Sequence, residues 1–338
     1  MKVFTIGEIM MRLTPEGVKR FVQADRLDVS FGGAEANVAV ALACWGADSV
    51  FITKLPSDDI GQAAVNSLRR YGVDVSHIIR GEGRMGVYYC EKGASQRPSK
   101  VIYDRAGSAF ACADKSEFDF DALFAKGGMV HVTGITPALG EKAKQLTLKA
   151  LESAKRAGCT VSYDVNYRSK LWSKQKAGEA AAEILPYVDV LIANENQVAD
   201  VIGIKAPGIA PADDSYSPEA NKYMTEELIK RYGFSTVAIT ARRTVSSEIN
   251  TFRAVVAHGC ETAFSREYKM FIADRVGAGD AFAAGVLYSL ANGENAQETA
   301  DFAAAAAALA HSVEGDYALL TADEINALTK NGSAKVQR

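Results

Sequence analysis

A run of small residues directly before an apolar helical stretch carries the clearest chemical signal in this sequence. Gly277, Ala278 and Gly279 precede Asp280. Backbone N–H groups at a helix N-terminus have no partner within the helix and, with the positive end of the helix dipole, favour an anion. Small side chains let a phosphate approach, while Asp280 could accept a proton from a hydroxyl group. The run therefore predicts an anion cradle beside a base; an ordinary Gly-rich turn with an Asp cap is the alternative.

Paired glycines near the N-terminus form a second candidate site. Gly32 and Gly33 precede an apolar helical run at residues 34–45, which also carries Asn37. Glycines allow close approach of the backbone, and an amide side chain both donates and accepts hydrogen bonds, as recognition of sugar hydroxyls requires. A tight strand-to-helix turn without a ligand is the alternative.

Composition excludes several classes of protein. The chain has 338 residues, with 38 Lys and Arg against 41 Asp and Glu, so no basic surface predicts a nucleic-acid partner. The longest apolar run, residues 302–310, is too short to span a bilayer, which needs about 20 residues. Glu8 and Arg12 interrupt the apolar N-terminal segment, so no signal peptide is predicted there. The five cysteines form no C-x-x-C pair, so the sequence predicts neither a zinc site nor a disulfide framework. The same cysteines predict a cytoplasmic location, where thiols stay reduced.

Short apolar strands alternate with helical patterns along most of the chain. This alternation is typical of an α/β protein whose mostly parallel sheet is covered by helices on both faces. Strands are predicted at residues 3–6, 49–53, 129–132, 159–164, 188–193 and 236–240, with a hairpin at 248–257 and 262–264. Helices are predicted at residues 34–45, 58–71, 141–156, 174–185, 195–202, 219–232, 279–290, 296–313 and 321–328.

Two strand-rich insertions interrupt this pattern near the N-terminus. They predict one small β-sheet that covers the carboxyl ends of the main strands, where ligands bind in such folds. Its exposed strand edges also predict a homo-oligomer formed through this lid. The predicted units are a large domain of residues 1–11, 32–84 and 108–330, a lid of residues 12–31 and 85–107, an irregular loop at 206–218 and a tail at 331–338.

The two glycine motifs, in this order and with these insertions, resemble the PfkB, or ribokinase-like, family of carbohydrate kinases. The resemblance covers about residues 2–328 and implies that family's three-layer sandwich with a β-sheet lid. Within the family the sequence is most similar to the 2-keto-3-deoxygluconate kinases. This closer likeness is carried by residues 33–35, 86–88, 103–105, 134–139, 164–168 and 171–172.

The resemblance implies transfer of the γ-phosphoryl group of ATP, with Mg²⁺, to the 6-hydroxyl of 2-keto-3-deoxygluconate. Asp280 would be the catalytic base, and the amides of residues 277–279 would bind the phosphoryl group. Arg105 and Arg168 could grip the substrate carboxylate. The implied substrate-binding residues are Gly33, Asn37, Tyr88, Tyr103, Arg105, Ile135, Arg168 and Asp316, and the implied nucleotide-binding residues are Asn194, Thr240, Arg242, Gly277 and Gly279.

The sequence departs from the family pattern at two places. Gln197 stands where the family often has a Glu that organises magnesium, which leaves Glu195 as a candidate metal ligand. Residues 241–244 replace the familiar K-x-G that follows a strand. The alternatives are another ketose or sugar-acid kinase, such as a fructokinase or a 5-dehydro-2-deoxygluconokinase, and a catalytically silent sugar-binding regulator.

Overall fold

The computed structural model describes residues 1–207, 217–246 and 248–331. Most of the predicted loop at residues 206–218 lies outside these ranges, as does the predicted tail beyond residue 331.

A ten-stranded sheet forms the centre of the described chain, and it is mostly parallel, as the sequence predicts. Its order is β13-β12-β11-β10-β9-β8-β1-β4-β5, with β14 paired to β12, and only the pairings that involve β12 are antiparallel. The strands are β1 (Lys2–Ile6), β4 (Asp48–Pro56), β5 (Ile78–Gly81), β8 (Met129–Thr133), β9 (Thr160–Asp164), β10 (Val190–Asn194), β11 (Thr236–Thr244), β12 (Ile249–His258), β13 (Glu261–Phe264) and β14 (Tyr268–Phe271).

Helices cover both faces of this sheet because each strand is apolar on both sides. On one face, α5, α6 and α8 share a buried cluster with the strands, and on the other α1, α9 and α10 do so. The three-layer prediction is therefore confirmed. The helices are α1 (Ala34–Cys44), α2 (Asp59–Arg69), α3 (Phe120–Phe124), α4 (Ile135–Ala138), α5 (Glu141–Arg156), α6 (Lys174–Ile184), α7 (Glu195–Gln197), α8 (Pro218–Tyr232), α9 (Ala278–Ala291), α10 (Ala296–Ala310) and α11 (Ala322–Asn331).

A separate four-stranded sheet, here called the small sheet, is formed by the two predicted insertions. Its order is β3-β2-β6-β7, from β2 (Met10–Thr14), β3 (Asp28–Gly32), β6 (Gly86–Glu91) and β7 (Lys100–Asp104). Side chains alternate across a strand, so Tyr88 and Cys90 of β6 are buried while Val87 and Tyr89 are half-buried. The small sheet confirms the predicted second layer of strands.

The alanine-rich run of residues 302–310 lies within α10, which packs closely on α9. A methyl group added at Gly285 of α9 would lie 2.6 Å from the α-carbon of Ala303, so the two backbones are nearly in contact. Among residues 1–207, 217–246 and 248–331, no helix has the length and apolar character needed to cross a bilayer.

Side chains cap several helix ends, whereas some short elements were not predicted from the sequence. Asp58 accepts a hydrogen bond from the Gly61 amide at the start of α2, and Thr321 exchanges hydrogen bonds with Glu324 before α11. The predicted helix at residues 195–202 is the short α7 followed by a π-helical turn. Edge strands β5 and β14 and the five-residue α3 were not predicted, because such short segments carry little periodicity.

Candidate active site

One cavity of about 530 Å³ opens where β9, β10 and β11 end and the small sheet covers them. Its walls are built from residues that lie far apart in the sequence, and many of them come from these strand ends, the small sheet and the N-termini of α1 and α9. It is lined by every predicted site residue: Gly33, Asn37, Tyr88, Tyr103, Arg105, Ile135, Arg168, Asn194, Glu195, Thr240, Arg242, Gly277, Ala278, Gly279, Asp280 and Asp316.

The N-terminus of α9 opens onto the cavity. Gly277 precedes the helix with φ of +83°, a left-handed conformation that favours glycine, and a methyl group there would lie 2.0 Å from the Asp316 carbonyl oxygen. A methyl group added at Gly279 would meet no atom within 4 Å. The chain therefore packs tightly behind Gly277 and leaves open space at Gly279, where an anion could meet the helix amides.

Asp280 lies in the first turn of α9 and is buried, with 8% of its surface exposed. Burial raises the pKa of its carboxyl to about 7, although a hydrogen bond from Asn37 and the charge of Arg168 lower it. A carboxyl with a pKa near neutrality can accept a proton in the physiological range, which is the property of a general base.

Asn37 of α1 holds this carboxyl in place. Its Nδ2 donates to Asp280 Oδ2 at 2.6 Å, while its Oδ1 accepts from the Gly33 amide at 3.2 Å. Gly33 is needed because a methyl group there would lie 2.0 Å from the Glu8 carbonyl oxygen. The tight turn that the sequence allows is present, and the Asn37 side chain binds the Asp280 carboxylate, a contact that was not predicted.

Glu35 fixes α1 to the end of β8. Its buried Oε1 accepts from the Thr133 amide at 3.0 Å, the Thr133 hydroxyl at 2.8 Å and the Thr136 hydroxyl at 2.9 Å. Burial raises the pKa of Glu35, and these hydrogen bonds oppose that shift. Sequence analysis did not select Glu35 as a site residue; a charged residue within an apolar helical run was the available signal.

Asp164, at the end of β9, is a second buried carboxyl that sequence analysis did not select. Burial, and then the negative charge of Asp280, raises its pKa to about 7. Its Oδ1 accepts from the Asn166 amide at 2.9 Å, and Asn166 has a left-handed φ of +33°. This turn carries Arg168 to the cavity, where the side chain is exposed and forms no ion pair with any described residue.

Arg105 and Tyr103 lie on the small-sheet side of the cavity. Arg105 is buried and donates from Nε to Glu8 Oε2 at 2.7 Å, so its charge already has a partner inside the protein. The Arg105 guanidinium also lies 5.7 Å from the centroid of the Tyr103 ring. Of the two predicted carboxylate-binding arginines, Arg168 is therefore the one whose charge faces the open cavity.

Asp316 joins the cavity wall to the small sheet. Its carboxylate accepts from the Tyr88 hydroxyl at 2.5 Å and from Arg12 Nη1 at 2.8 Å. Arg12 also donates from Nη2 to Asp274 Oδ2 at 2.6 Å. Burial lowers the pKa of Arg12, but Asp316 and Asp274 raise it overall, so the guanidinium stays charged. Sequence analysis noticed Arg12 only as an interruption of the apolar start.

Arginine side chains dominate the part of the cavity beyond Thr240. Residues 241–244 continue β11, and Arg242 pairs with Phe252 of β12, so the loop expected after residue 240 is a strand. Partial desolvation in the cavity, and then the positive charges of Arg275 and Arg168, lower the pKa of Arg242. A bound polyanion would relieve this repulsion.

Gln197 has a structural role that accounts for its presence. Its Oε1 accepts from the Asn194 amide at 2.9 Å, and the Asn194 side chain accepts from the Gln197 amide at 2.9 Å. This reciprocal pair is a capping box that starts α7 at the end of β10.

Within the described ranges, no group of three or more His, Cys, Asp and Glu side chains could hold a metal by itself. Glu195 lines the cavity, and burial raises the pKa of its carboxyl. Carboxylate oxygens suit a hard cation such as Mg²⁺, which binds proteins through one or two carboxylates and keeps waters and phosphates as its other ligands.

Comparison with known proteins places this geometry among sugar kinases. The model of the pfkB family carbohydrate kinase matches residues 1–323. The 2-dehydro-3-deoxygalactonokinase of Haloferax volcanii is 34% identical to this chain, and the match covers 100% of this chain and 99% of that protein. The 2-dehydro-3-deoxygluconokinase of Thermoproteus tenax is 30% identical, and the match covers 92% of this chain and 88% of that protein. The crystal structure of 2-dehydro-3-deoxygluconokinase from Thermotoga maritima is 44% identical, with a TM-score of 0.94 over 98% of this chain and 100% of its own.

Proposed function

This chain belongs to the pfkB family of carbohydrate kinases, and from that premise we propose that it phosphorylates the 6-hydroxyl of 2-keto-3-deoxygluconate with ATP. It is an ATP-dependent phosphotransferase whose acceptor is a sugar hydroxyl, of the 2-dehydro-3-deoxy-sugar (2-keto-3-deoxy-sugar) kinase type. The observation that carries the proposal is the buried Asp280 carboxyl in the same cavity as the amide cradle of α9 and the exposed Arg168.

In the proposed reaction Asp280 accepts the proton of the substrate hydroxyl as that oxygen attacks the γ-phosphorus of ATP. The new O–P bond forms while the bond from the γ-phosphorus to the β–γ bridging oxygen breaks, and ADP leaves with that oxygen. The amides of Gly277, Ala278 and Gly279 bind the migrating phosphoryl group, and the cationic wall near Arg242 attracts the remaining phosphates. Positioning and electrostatic stabilisation supply most of the catalysis.

We propose that Mg²⁺ enters the site with ATP. Bound there, the ion would neutralise charge that develops on the phosphate oxygens. Glu195 would help to hold it together with waters and the phosphates, because Gln197 is neutral and is occupied in the capping box.

The negatively charged substrate class is supported by Arg168. A guanidinium group in an open cavity pairs well with a carboxylate, which a keto sugar acid has and a neutral ketose lacks. Gluconate-type and galactonate-type substrates carry the same carboxylate and differ in the configuration of one hydroxyl group. The 44% identity with the Thermotoga maritima enzyme favours the gluconate type.

The alternatives agree less well with the site. A neutral-sugar kinase, such as a fructokinase, would make no use of the Arg168 charge. A catalytically silent regulator would not need Asp280 to be held by Asn37 in front of the α9 amides.

Measurement of ADP release from ATP against a panel of sugars tests the proposal. The panel contains 2-keto-3-deoxygluconate, 2-keto-3-deoxygalactonate, 5-dehydro-2-deoxygluconate, fructose and ribose. We expect kcat/KM to be highest for 2-keto-3-deoxygluconate. A preference for fructose would contradict the proposal that the substrate is a sugar acid. A preference for 2-keto-3-deoxygalactonate would contradict only the choice of the gluconate epimer. No ADP release with any sugar would support a catalytically silent regulator.

We further propose that two copies associate through the outer face of the small sheet. Apolar side chains alternate with the cavity-facing ones and meet across the strands: Leu13 lies opposite Val29 and Tyr89, and Tyr89 opposite Ile102. Val29 and Ile102 are 60% and 44% exposed, which is unusual for an apolar sheet face without a partner. Sedimentation velocity should give a dimer for the wild type and a monomer for Val29→Lys; a monomeric wild type would refute this association.

We place the protein in the cytoplasm. All five cysteines are free, two of them exposed, as suits a reducing compartment that also contains ATP.

A further inference from the structure

We infer that Arg12 is a positioning residue that couples the small sheet to the loop holding the migrating phosphoryl group. The inference rests on the proposed function, because it concerns how that reaction is aligned. Arg12 itself touches neither the α9 amides nor Asp280, and it acts through two carboxylates.

The contacts of Arg12 join three parts of the chain. Arg12 is in β2 of the small sheet, and its guanidinium donates to Asp274 at 2.6 Å and to Asp316 at 2.8 Å, with all three side chains 2–3% exposed. Its Nε donates to Thr14 of the same strand at 2.9 Å, which fixes the plane of the guanidinium. One side chain thus sets the separation between the small sheet and both carboxylates.

Asp274 transmits this position to the cradle. Its Oδ1 accepts from the amides of Arg275 at 2.8 Å and Val276 at 3.2 Å, and its Oδ2 also accepts from the Gly315 amide at 3.3 Å. These bonds organise the turn that leads directly into Gly277. A displacement of Asp274 would therefore tilt the first amides of α9.

Asp316 provides a second connection to the same turn. Its carbonyl oxygen lies so close to Gly277 that no Cβ would fit between them. Its carboxylate also accepts from Tyr88, which lines the cavity from β6. Arg12 consequently links a side chain that covers the sugar with the backbone that receives the phosphoryl group.

Because Asp274 and Asp316 are buried, the connection through residue 12 depends on the shape of the cationic group that binds them. A guanidinium group can bind two carboxylates in fixed directions, whereas the ammonium of lysine is a point charge on a flexible stem. Misplacement of reacting groups by about 1 Å can cost about 10²-fold in rate. Arg12→Lys keeps the charge and loses the fixed geometry.

The test compares Arg12→Lys with Arg97→Lys. Arg97 donates to Glu91 at 2.7 Å and to the Val18 carbonyl at 2.8 Å, both on the small-sheet side. It therefore serves as a control arginine that forms an ion pair but does not contact the turn at residues 274–277. We expect Arg12→Lys to lower kcat per folded molecule by about 10²-fold, with KM for ATP changed less than about threefold. Arg97→Lys should keep the wild-type kcat.

A structural role alone would give a different pattern. Arg12→Lys would then lower the melting temperature while kcat per folded molecule stayed at the wild-type value, and the inference would be overturned. The double variant Arg12→Met, Asp274→Asn removes one positive and one negative charge together, so it keeps the charge balance if single variants fold poorly. We expect its kcat to stay low; recovery to the wild-type value would show that Arg12 only compensates charge.

Amide hydrogen exchange separates this inference from the proposed function. Exchange at residues 275–279 should be about tenfold faster in Arg12→Lys than in Arg97→Lys, whether or not any sugar is turned over. Absence of ADP release by the wild type would refute the kinase proposal alone, and unchanged exchange at these amides would refute the coupling.

Discussion

Asp280→Asn should lower kcat by about 10³-fold, the order of magnitude that a positioned general base contributes. Asparagine has nearly the same shape, and its carbonyl oxygen can still accept from Asn37, so KM for ATP and for the sugar should change little. The measurement is ADP release at saturating ATP and sugar. Asp59→Asn is the matched control, because Asp59 also lies in the first turn of a helix but is exposed and remote from the cavity.

A kcat within tenfold of the wild type in Asp280→Asn would refute the base. The pH profile of the wild type gives an independent check on the same group. Since the pKa of Asp280 is raised to about 7 and the base must be ionised, kcat/KM should fall as the pH drops below about 7. Asp280→Asn should lose this limb of the profile.

Arg168→Ala should raise KM for 2-keto-3-deoxygluconate by about 10- to 100-fold, as expected when one charge-assisted hydrogen bond is lost. The same variant should leave KM unchanged for any neutral ketose that the wild type phosphorylates, because such a sugar offers no carboxylate. Initial rates against sugar concentration at saturating ATP measure both. Arg231→Ala, on the exposed end of α8, is the control for loss of an arginine from the surface.

Equal increases of KM for the acid and the neutral sugar would contradict the role of Arg168 as the carboxylate partner. Arg105→Ala is a poorer test of the same idea. It would leave the buried Glu8 without its partner, and the cost of an uncompensated charge would lower stability as well as binding.

Local chemistry made much of this molecule predictable. The Gly-Ala-Gly-Asp run at residues 277–280 and the paired glycines at 32–33 need only their own backbone and side chains to form an open helix N-terminus and a tight turn. Both lie at the cavity. The alternation of apolar strands and helices likewise predicted the layered fold, because a strand that is buried on both faces must be apolar along most of its length.

Long-range polar contacts could not be predicted in this way. Arg12 binds Asp274 and Asp316, which lie 262 and 304 positions away, and no periodicity relates a single inward-facing charge to partners at such distances. Asp164 stood in a recognised motif, yet its raised pKa depends on burial and on Asp280, which only the assembled sheet brings near. The reason for the departure from the family pattern at Gln197 could not be predicted either. Only the structure shows that this side chain completes the capping box of α7.

The near contact between α9 and α10 limits how the molecule can move during turnover. Because Gly285 of α9 lies directly against Ala303 of α10, a shift of α9 toward α10 at this point would bring the two backbones into overlap. We therefore expect rearrangements that accompany turnover to involve the small sheet more than the packing of α9 against α10.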